Sequence, residues 1–594
     1  MNIVLPASAT PCERFAAEEL EKFIAAAALP DSSAAQAEYH LGRTGEWQAR
    51  FASFPLGKLE PDGFAVKSEG NKLFIFGARD RGTLYGVYDF AEKVLGVRFV
   101  ARDYTYIPPA HAASAAGLDY VSVPDIPLRS YRCLQIVEDP LFAARMRMVV
   151  TFGKEEEKYG GGILRDMYEV GHNTLSLIPP EKYFAEHPEF FSVRDGKPVD
   201  LCWSNGVTED GHIDGSLAVS VPKLLAAAVI AQCEKNPELK FFTIAQEDSL
   251  GDFCSCPVCR ARTEKYGAPS ANILLCLGAV AEAVDEWAQA RGREVNIVTY
   301  AYNNTERPPV FKDEKGVLHA AEGIFCHKNL YIKLCMSNAD YAHSFATARQ
   351  GGSYMHDLSY SEVFEGWKLL TDHFMFYDYG TNFYEVLWFY PNRKVLAENY
   401  RFYKKMGAAY VETECEHDYT AGFQPDLKCY VASKLLWNVN ADADALMREF
   451  CRLYYGSAAD AVLETIGILE DEAAAADAKF PEFSMHMFLE DWGRELDARY
   501  CSRAALERAV ALLNGQLRQC ADDAALKKRL QKVIVTPLRM LYKNAEAYGF
   551  TEAERASLRG QLKQNCSECG IEIFGGAVTL EKTGKSYGGT VKDL

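Results

Sequence analysis

Two adjacent carboxylates, Glu247 and Asp248, close the tract LKFFTIAQED at 239–248. Side chains alternate along a strand, so Phe242, Ile244 and Gln246 share one face while Thr243, Ala245 and Glu247 share the other. The bulky apolar pair on the first face belongs against covering helices. That turns Thr243 and Ala245 inward and aims Glu247 at the open end of the sheet, where Asp248 joins it if the strand end turns or bulges. Carboxylates this close raise each other's pKa, and one that keeps its proton serves as a general acid. The alternative is a solvated loop after the strand.

Other strand ends carry the same kinds of group. Asp378 sits between Tyr377 and Tyr379 in HFMFYDYG, and Glu412 and Glu414 share a face of AAYVETE. Tyr300 and Tyr302 end EVNIVTYAYNN, and His172 with Asn173 opens GHNTLSL. Cleavage of a glycosidic bond needs two carboxylates astride a sugar, or one carboxylate and a group that helps the substrate's own acetamide attack, with aromatic walls to stack the ring. Glu247 and Asp248 are thus the candidate catalytic pair. His172, Asn173, Tyr300, Tyr302, Asp378, Tyr379, Glu412 and Glu414 are candidates for holding the substrate. For each there is a plainer role: a structural histidine, tyrosines that fill a core, and glutamates 412, 414 and 416 salt-bridged to neighbours.

Three thiols follow the acidic pair in CSCPVC: Cys254, Cys256 and Cys259. They are close enough to share a zinc ion with a fourth ligand from elsewhere, or to enter a disulfide, but no second CxxC is assignable as partner, although Cys566 and Cys569 lie near the end. Free thiols, with no metal and no cofactor, are the expectation. A nucleophilic role is not, because a reactive thiolate needs a base and a cationic setting that the neighbouring residues lack.

The elements that must position these groups follow from periodicity. The first 125 residues alternate short strands with helices, including Asn2–Leu5, a helix over Glu13–Ala27 with Phe15, Leu20 and Phe23 at helical spacing, and a hairpin turning at Gly70-Asn71. The next helix, RGTLYGVYDFAEKVLG, stops at Gly96. From 126 to 430, short apolar runs ending in polar residues alternate with helices, the pattern of repeated βα units, whose working residues gather at the C-terminal strand ends. The economical fold is α/β with a central (β/α)8 TIM-like barrel. Residues 431–594 read as an all-α domain.

Composition sets the class. The 594 residues hold 82 acidic and 64 basic groups, a net charge of −18, which disfavours nucleic acid and anionic membranes as partners. Hydrophobic residues at 48% and charged ones at 25% are ordinary globular values. No apolar run reaches the roughly 18 residues of a membrane span, and no basic segment leading into an apolar one marks a secretory signal. With 17 irregularly spaced cysteines, reduced thiols and a cytoplasmic location are expected, and a homo-oligomer is compatible with all of this.

Three stretches carry a resemblance to a known group: ARDRGTLYGVYDFAEKVLGVRFV; GHNTLSLIPPEKYFAEHPEFFSVRDGK with QEDSLGDFCSCPVC; and YVASKLLWNVNADADALMREFCRLYYGSAA. Together they resemble the domain-of-unknown-function 4838 proteins, the group that contains glycoside hydrolase family 163, characterised as endo-β-N-acetylglucosaminidases. The N-terminal unit is similar to the non-catalytic α/β domain of family 20 hexosaminidases and family 67 α-glucuronidases. The resemblance implies hydrolysis of a β-linked N-acetylhexosamine in a glycan, with Glu247 and Asp248 as the acidic pair after the fourth barrel strand. Family 20 carries that pair as Asp-Glu, with Asp orienting the acetamide and Glu as the acid; here the order is reversed. The alternatives are an α-glucuronidase-like hydrolase, which would grip a uronate carboxylate with basic residues, and a catalytically silent carbohydrate-binding protein.

Overall fold

The computed structural model describes residues 1–151, 156–248, 253–345, 347, 356–416, 422–480, 498–520, 522–579 and 586–594. The chain forms two compact units, one of Met1–Gly162, Tyr379–Lys404 and Glu412–Leu594, the other of Ile163–Asp378 and Lys405–Val411.

In the first unit, β1 (Asn2–Val4), β2 (Glu38–Leu41), β3 (Phe64–Glu69), β4 (Lys72–Gly77) and β5 (Asp119–Ser122) form one sheet in the order β1-β2-β4-β3-β5. The hairpin read at Gly70-Asn71 is present: Glu69 pairs with Lys72, and Gly70 takes a φ of +63° that suits a residue without a Cβ. Helix α1 (Pro11–Ala27) starts in a capping box between Thr10 and Glu13 and buries Leu20 and Phe23. Helix α2 (Asp80–Lys93) ends three residues before Gly96. It lies so close to the end of β4 that a Cβ on Gly77 would stand 2.7 Å from the Gly82 Cα.

Among its described residues the C-terminal segment has six long helices between Pro425 and Cys569, and it closes with a hairpin, Ile573–Thr579 against Ser586–Thr590, that periodicity did not reveal. These helices pack on the N-terminal α/β layer inside the same unit. Trp437 stacks on Phe64 at 5.7 Å between ring centroids, its carbonyl accepts from the Asp125 N–H, and Arg98 pairs with Glu449 at 3.1 Å. Glu92, which burial alone would raise, is held down at about 2 by Lys434 and Arg147. The first unit also contains β6 (Leu128–Arg132).

The second unit is built on parallel strands β7 (Met167–Tyr168), β8 (Phe241–Thr243), β9 (Asn296–Ala301), β10 (Leu330–Cys335) and β11 (Phe374–Tyr379), hydrogen-bonded in that order, with β12 (Ala408–Glu414) next to β11. The result is a curled parallel sheet in the form of a half-barrel, within the α/β class expected from the sequence. Two tracts that could have supplied further parallel strands fold back on themselves. Phe191–Arg194 and Lys197–Leu201 form an antiparallel hairpin across Asp195-Gly196, both at positive φ, and Val310–Lys312 pairs with Leu318–Ala320. Strand β7 has only two residues and, among the described residues, is bonded on one side. Among the described residues no single helix is long and apolar enough to cross a membrane.

Candidate active site

The floor of the half-barrel is polar although it is buried. Lys333 stands in the middle of β10 with none of its side chain exposed, and its Nζ lies 2.8 Å from Glu169 Oε1, one residue past β7. Three rings surround the ammonium: Tyr300 from β9 at 5.1 Å, Tyr377 from β11 at 4.9 Å and Tyr410 from β12 at 5.0 Å. Glu169 also accepts from the Tyr300 hydroxyl at 2.6 Å and from Thr243 at 2.8 Å. Burial alone would raise the Glu169 carboxyl, but Lys333 and these hydroxyls outweigh it and hold it below the usual carboxylate range. Thr243 turns its hydroxyl to this floor, donating to Glu169, and Ala245 packs with Tyr300 and Cys335.

Above this layer the chain leaves β8 after Thr243, and regular pairing gives way to side-chain ties. Asn173 spends both ends of its amide on the departing backbone, donating to Thr243 O at 2.8 Å and accepting from Ala245 N at 3.1 Å. Gln246 turns to Thr305 and the Tyr302 carbonyl. Glu247 is then held by the facing loop: its Oε1 accepts from Thr174 Oγ1 at 2.9 Å and from Leu175 N at 2.8 Å. Asp248 is exposed, and its Oδ1 accepts from the Tyr302 hydroxyl at 3.1 Å. Burial, followed by the Asp248 charge, raises the Tyr302 phenol.

His172 completes this cluster. Its backbone sits at φ +53°, a strained setting for a non-glycine residue, and its Nδ1 donates to the Gln246 carbonyl at 2.7 Å, which leaves Nε2 as the acceptor nitrogen. The ring lies 5.7 Å from Tyr300 and 5.6 Å from Tyr302 between centroids. Glu247, Asp248, His172, Asn173, Tyr300 and Tyr302 are therefore brought together, with Asn173 and Tyr300 buried and committed to protein partners and the other four at or near the surface.

The remaining candidates are Asp378, Tyr379, Glu412 and Glu414. Asp378 is buried at the end of β11. Tyr379, Glu412 and Glu414 belong to the first unit, where Arg132 Nη1 lies 3.7 Å from each glutamate, in keeping with the salt-bridge alternative. Tyr379 packs edge-on against Phe383.

Four further residues were not singled out as site residues. Glu169 and Lys333 form the floor; a lysine on the same face as Tyr331 and Cys335 in the otherwise apolar LYIKLC was the available signal. Thr174 and Asp200 flank Glu247: Thr174 Oγ1 lies 2.8 Å from Asp200 Oδ1 as well as 2.9 Å from Glu247. One hydroxyl proton cannot serve both carboxylates at once. Burial, opposed in part by the Leu201 N–H and Thr174, pushes the Asp200 carboxyl up to about 7.

Comparison with known proteins places this architecture. The family model described as domain of unknown function (DUF4838) matches residues 99–466, and that of the glycosyl hydrolase family 67 N-terminus matches residues 2–90. Alpha-glucuronidase A of Aspergillus tubingensis is 37% identical over 65 residues, which are 11% of this chain and only 8% of that protein. Among solved structures, a family GH115 4-O-methyl-alpha-glucuronidase with specificity for decorated arabinogalactans aligns with 96% of this chain and 76% of its own, with a TM-score of 0.56 and 12% identity, a likeness of fold. A family 89 glycoside hydrolase from Clostridium perfringens aligns with 94% of this chain and 65% of its own at 10% identity, with a TM-score of 0.49. The DUF4838 model takes in more than half of the chain, so the protein belongs to the DUF4838 family and is built on a glycoside hydrolase-like fold.

Proposed function

We propose that this protein hydrolyses the glycosidic bond of a β-linked N-acetylhexosamine in a glycan, with the substrate's acetamide as nucleophile. The observation that carries this reading is the pairing at the end of β8. Glu247 is fixed through one oxygen by Thr174 and Leu175, while its sequence neighbour Asp248 is exposed and held by Tyr302. Neighbours in sequence suit one acid and one orienting group better than two carboxylates on opposite sides of a sugar.

In this mechanism Asp248 accepts the acetamide N–H and steadies the positive charge that develops there. The acetamide oxygen attacks the anomeric carbon as Glu247 protonates the departing glycosidic oxygen. Glu247, now ionised, takes a proton from the water that opens the oxazoline, and the configuration is retained. His172 offers Nε2 to a sugar hydroxyl, and Tyr302 walls the acetamide.

A screen of aryl glycosides on the full chain tests this, with Glu247→Gln as the control. N-Acetylglucosaminides should be cleaved in preference to glucosides, a thiazoline mimic of the oxazoline should inhibit strongly, and Asp248→Asn should reduce kcat more than it raises KM. Equal cleavage of glucosides, or indifference to the thiazoline, would remove the acetamide from the mechanism.

A uronic-acid reading draws support from the family 67 N-terminal match and the 65-residue similarity to an alpha-glucuronidase. Against it, the Lys333 charge is fully buried and spent on Glu169, so it does not offer itself to an incoming carboxylate. Cleavage of aryl α-glucuronides in the same screen would favour this second reading.

A further inference from the structure

The hairpin Phe191–Leu201 ends at Cys202, and Cys202 lies among the three thiols that follow the acidic pair. The sulfurs of Cys202, Cys254, Cys256 and Cys259 all lie within 4.8 Å of one another, with Cys202 at 3.8 Å from Cys256 and 4.0 Å from Cys259. Four sulfurs at the corners of a tetrahedron around zinc, each about 2.3 Å from the metal, stand about 3.8 Å apart. Cys202, Cys254 and Cys259 are buried and Cys256 is partly so.

The surroundings suit thiolates bound to a metal. Cys256 caps the helix Pro257–Tyr266 with its sulfur, which accepts the Cys259 N–H at 3.4 Å, and Pro257 at the first position of that helix has no N–H to leave unsatisfied. The Ser204 hydroxyl lies 3.2–3.5 Å from the sulfurs of Cys202, Cys256 and Cys259, an outer-shell contact of the kind that steadies ligands.

We propose that Cys202, Cys254, Cys256 and Cys259 form a closed four-thiolate zinc site that is structural and takes no part in the chemistry. Four sulfur ligands leave no open position for water or substrate, which separates this from a catalytic zinc. Binding converts thiols to thiolates and releases their protons to solvent. The site clamps two segments that flank the acidic pair: residue 202 is two positions after Asp200, and Cys254 is six after Asp248. Sequence spacing supplied three of the ligands and not the fourth, because Cys202 arrives from a hairpin more than fifty residues upstream.

The test is metal analysis of the full chain purified without chelators. Zinc at about one per chain, released in step with mercurial titration of the thiols, is expected. Cys202→Ser should lower that content at least severalfold, while Cys276→Ser, at a buried thiol outside the cluster, should leave it intact. Should Cys202→Ser fail to fold, cobalt exchange into the wild-type chain gives an independent reading, since a tetrahedral four-thiolate site produces strong sulfur-to-cobalt charge transfer. A chain that holds iron in place of zinc, disulfides mapped among these four cysteines, or zinc far below one per chain with all four thiols freely reactive would each overturn the assignment.

Discussion

Lys333 Nζ and Glu169 Oε1 meet at 2.8 Å with neither side chain more than 1% exposed, so a fully buried ion pair joins β10 to the end of β7 across the half-barrel floor. Removing one partner leaves the other charge buried and uncompensated. Lys333→Met should therefore cost about 3–5 kcal/mol of stability, read as a fall in the urea midpoint. Combining it with Glu169→Gln should recover a large part of the loss. A double variant as unstable as the sum of the single ones would show that the pair itself, and not the stranded charge, holds the floor together.

Thr174 is the hinge between Glu247 and Asp200. Thr174→Val keeps the shape and removes the hydroxyl, so Glu247 retains only the Leu175 N–H. Loosening the carboxyl proposed as the general acid by a fraction of an ångström should lower kcat roughly 10- to 100-fold, with KM and the melting temperature little changed. Steady-state kinetics on the substrate identified by the glycoside screen, with Thr174→Ser as the rescuing variant, checks this.

Glu306 predicts a pH dependence of stability. Its carboxyl is buried, accepting from Tyr360 at 2.6 Å and Asn338 at 2.7 Å, and burial pushes it from an ordinary 4.5 up to about 7. His356, 3.9 Å away, is pushed down to about 4 by burial and Arg307, so it stays neutral over the same interval. The folded protein then keeps a proton that the unfolded chain releases at lower pH. The contribution is complete below pH 4.5, declines as pH rises toward 7 and is level beyond. The difference in urea midpoint between wild type and Glu306→Gln, followed from pH 4.5 to 8, should trace that decline; a flat difference would contradict it.

Gly171 precedes the strained His172 and leaves room for Tyr300. A Cβ there would stand 2.9 Å from the Tyr300 hydroxyl, which is committed to Glu169 at 2.6 Å. Gly171→Ala should cost roughly 1–3 kcal/mol. Because both changes act on one contact, its effect and that of Tyr300→Phe should combine with less than additive loss. Thermal melts of the two single variants and the double one supply the cycle.

Local rules carried much of this molecule. Gly70-Asn71 turns a hairpin because the strands on each side alternate, helix α1 begins at its capping box, and Thr243 faces inward because side chains in a strand have a period of two. Strand alternation stops there: β8 ends at Thr243, and the ties made by Asn173, Gln246 and Thr174 set the course of the chain through Glu247 and Asp248. What sequence periodicity did not determine was where βα units fail to repeat. Asp195-Gly196 turns its tract back as an antiparallel hairpin, and only the folded chain shows that this delivers Cys202 to three distant thiols. Glu169 and Lys333 are likewise 164 residues apart and Thr174 and Asp200 are 26 apart, and each is ordinary in its own segment. Their roles come from partners that meet only through long-range packing, where a buried charge survives because its counter-charge and hydroxyl donors arrive from other strands. Local spacing contains no record of such meetings, so the tertiary structure alone decided them.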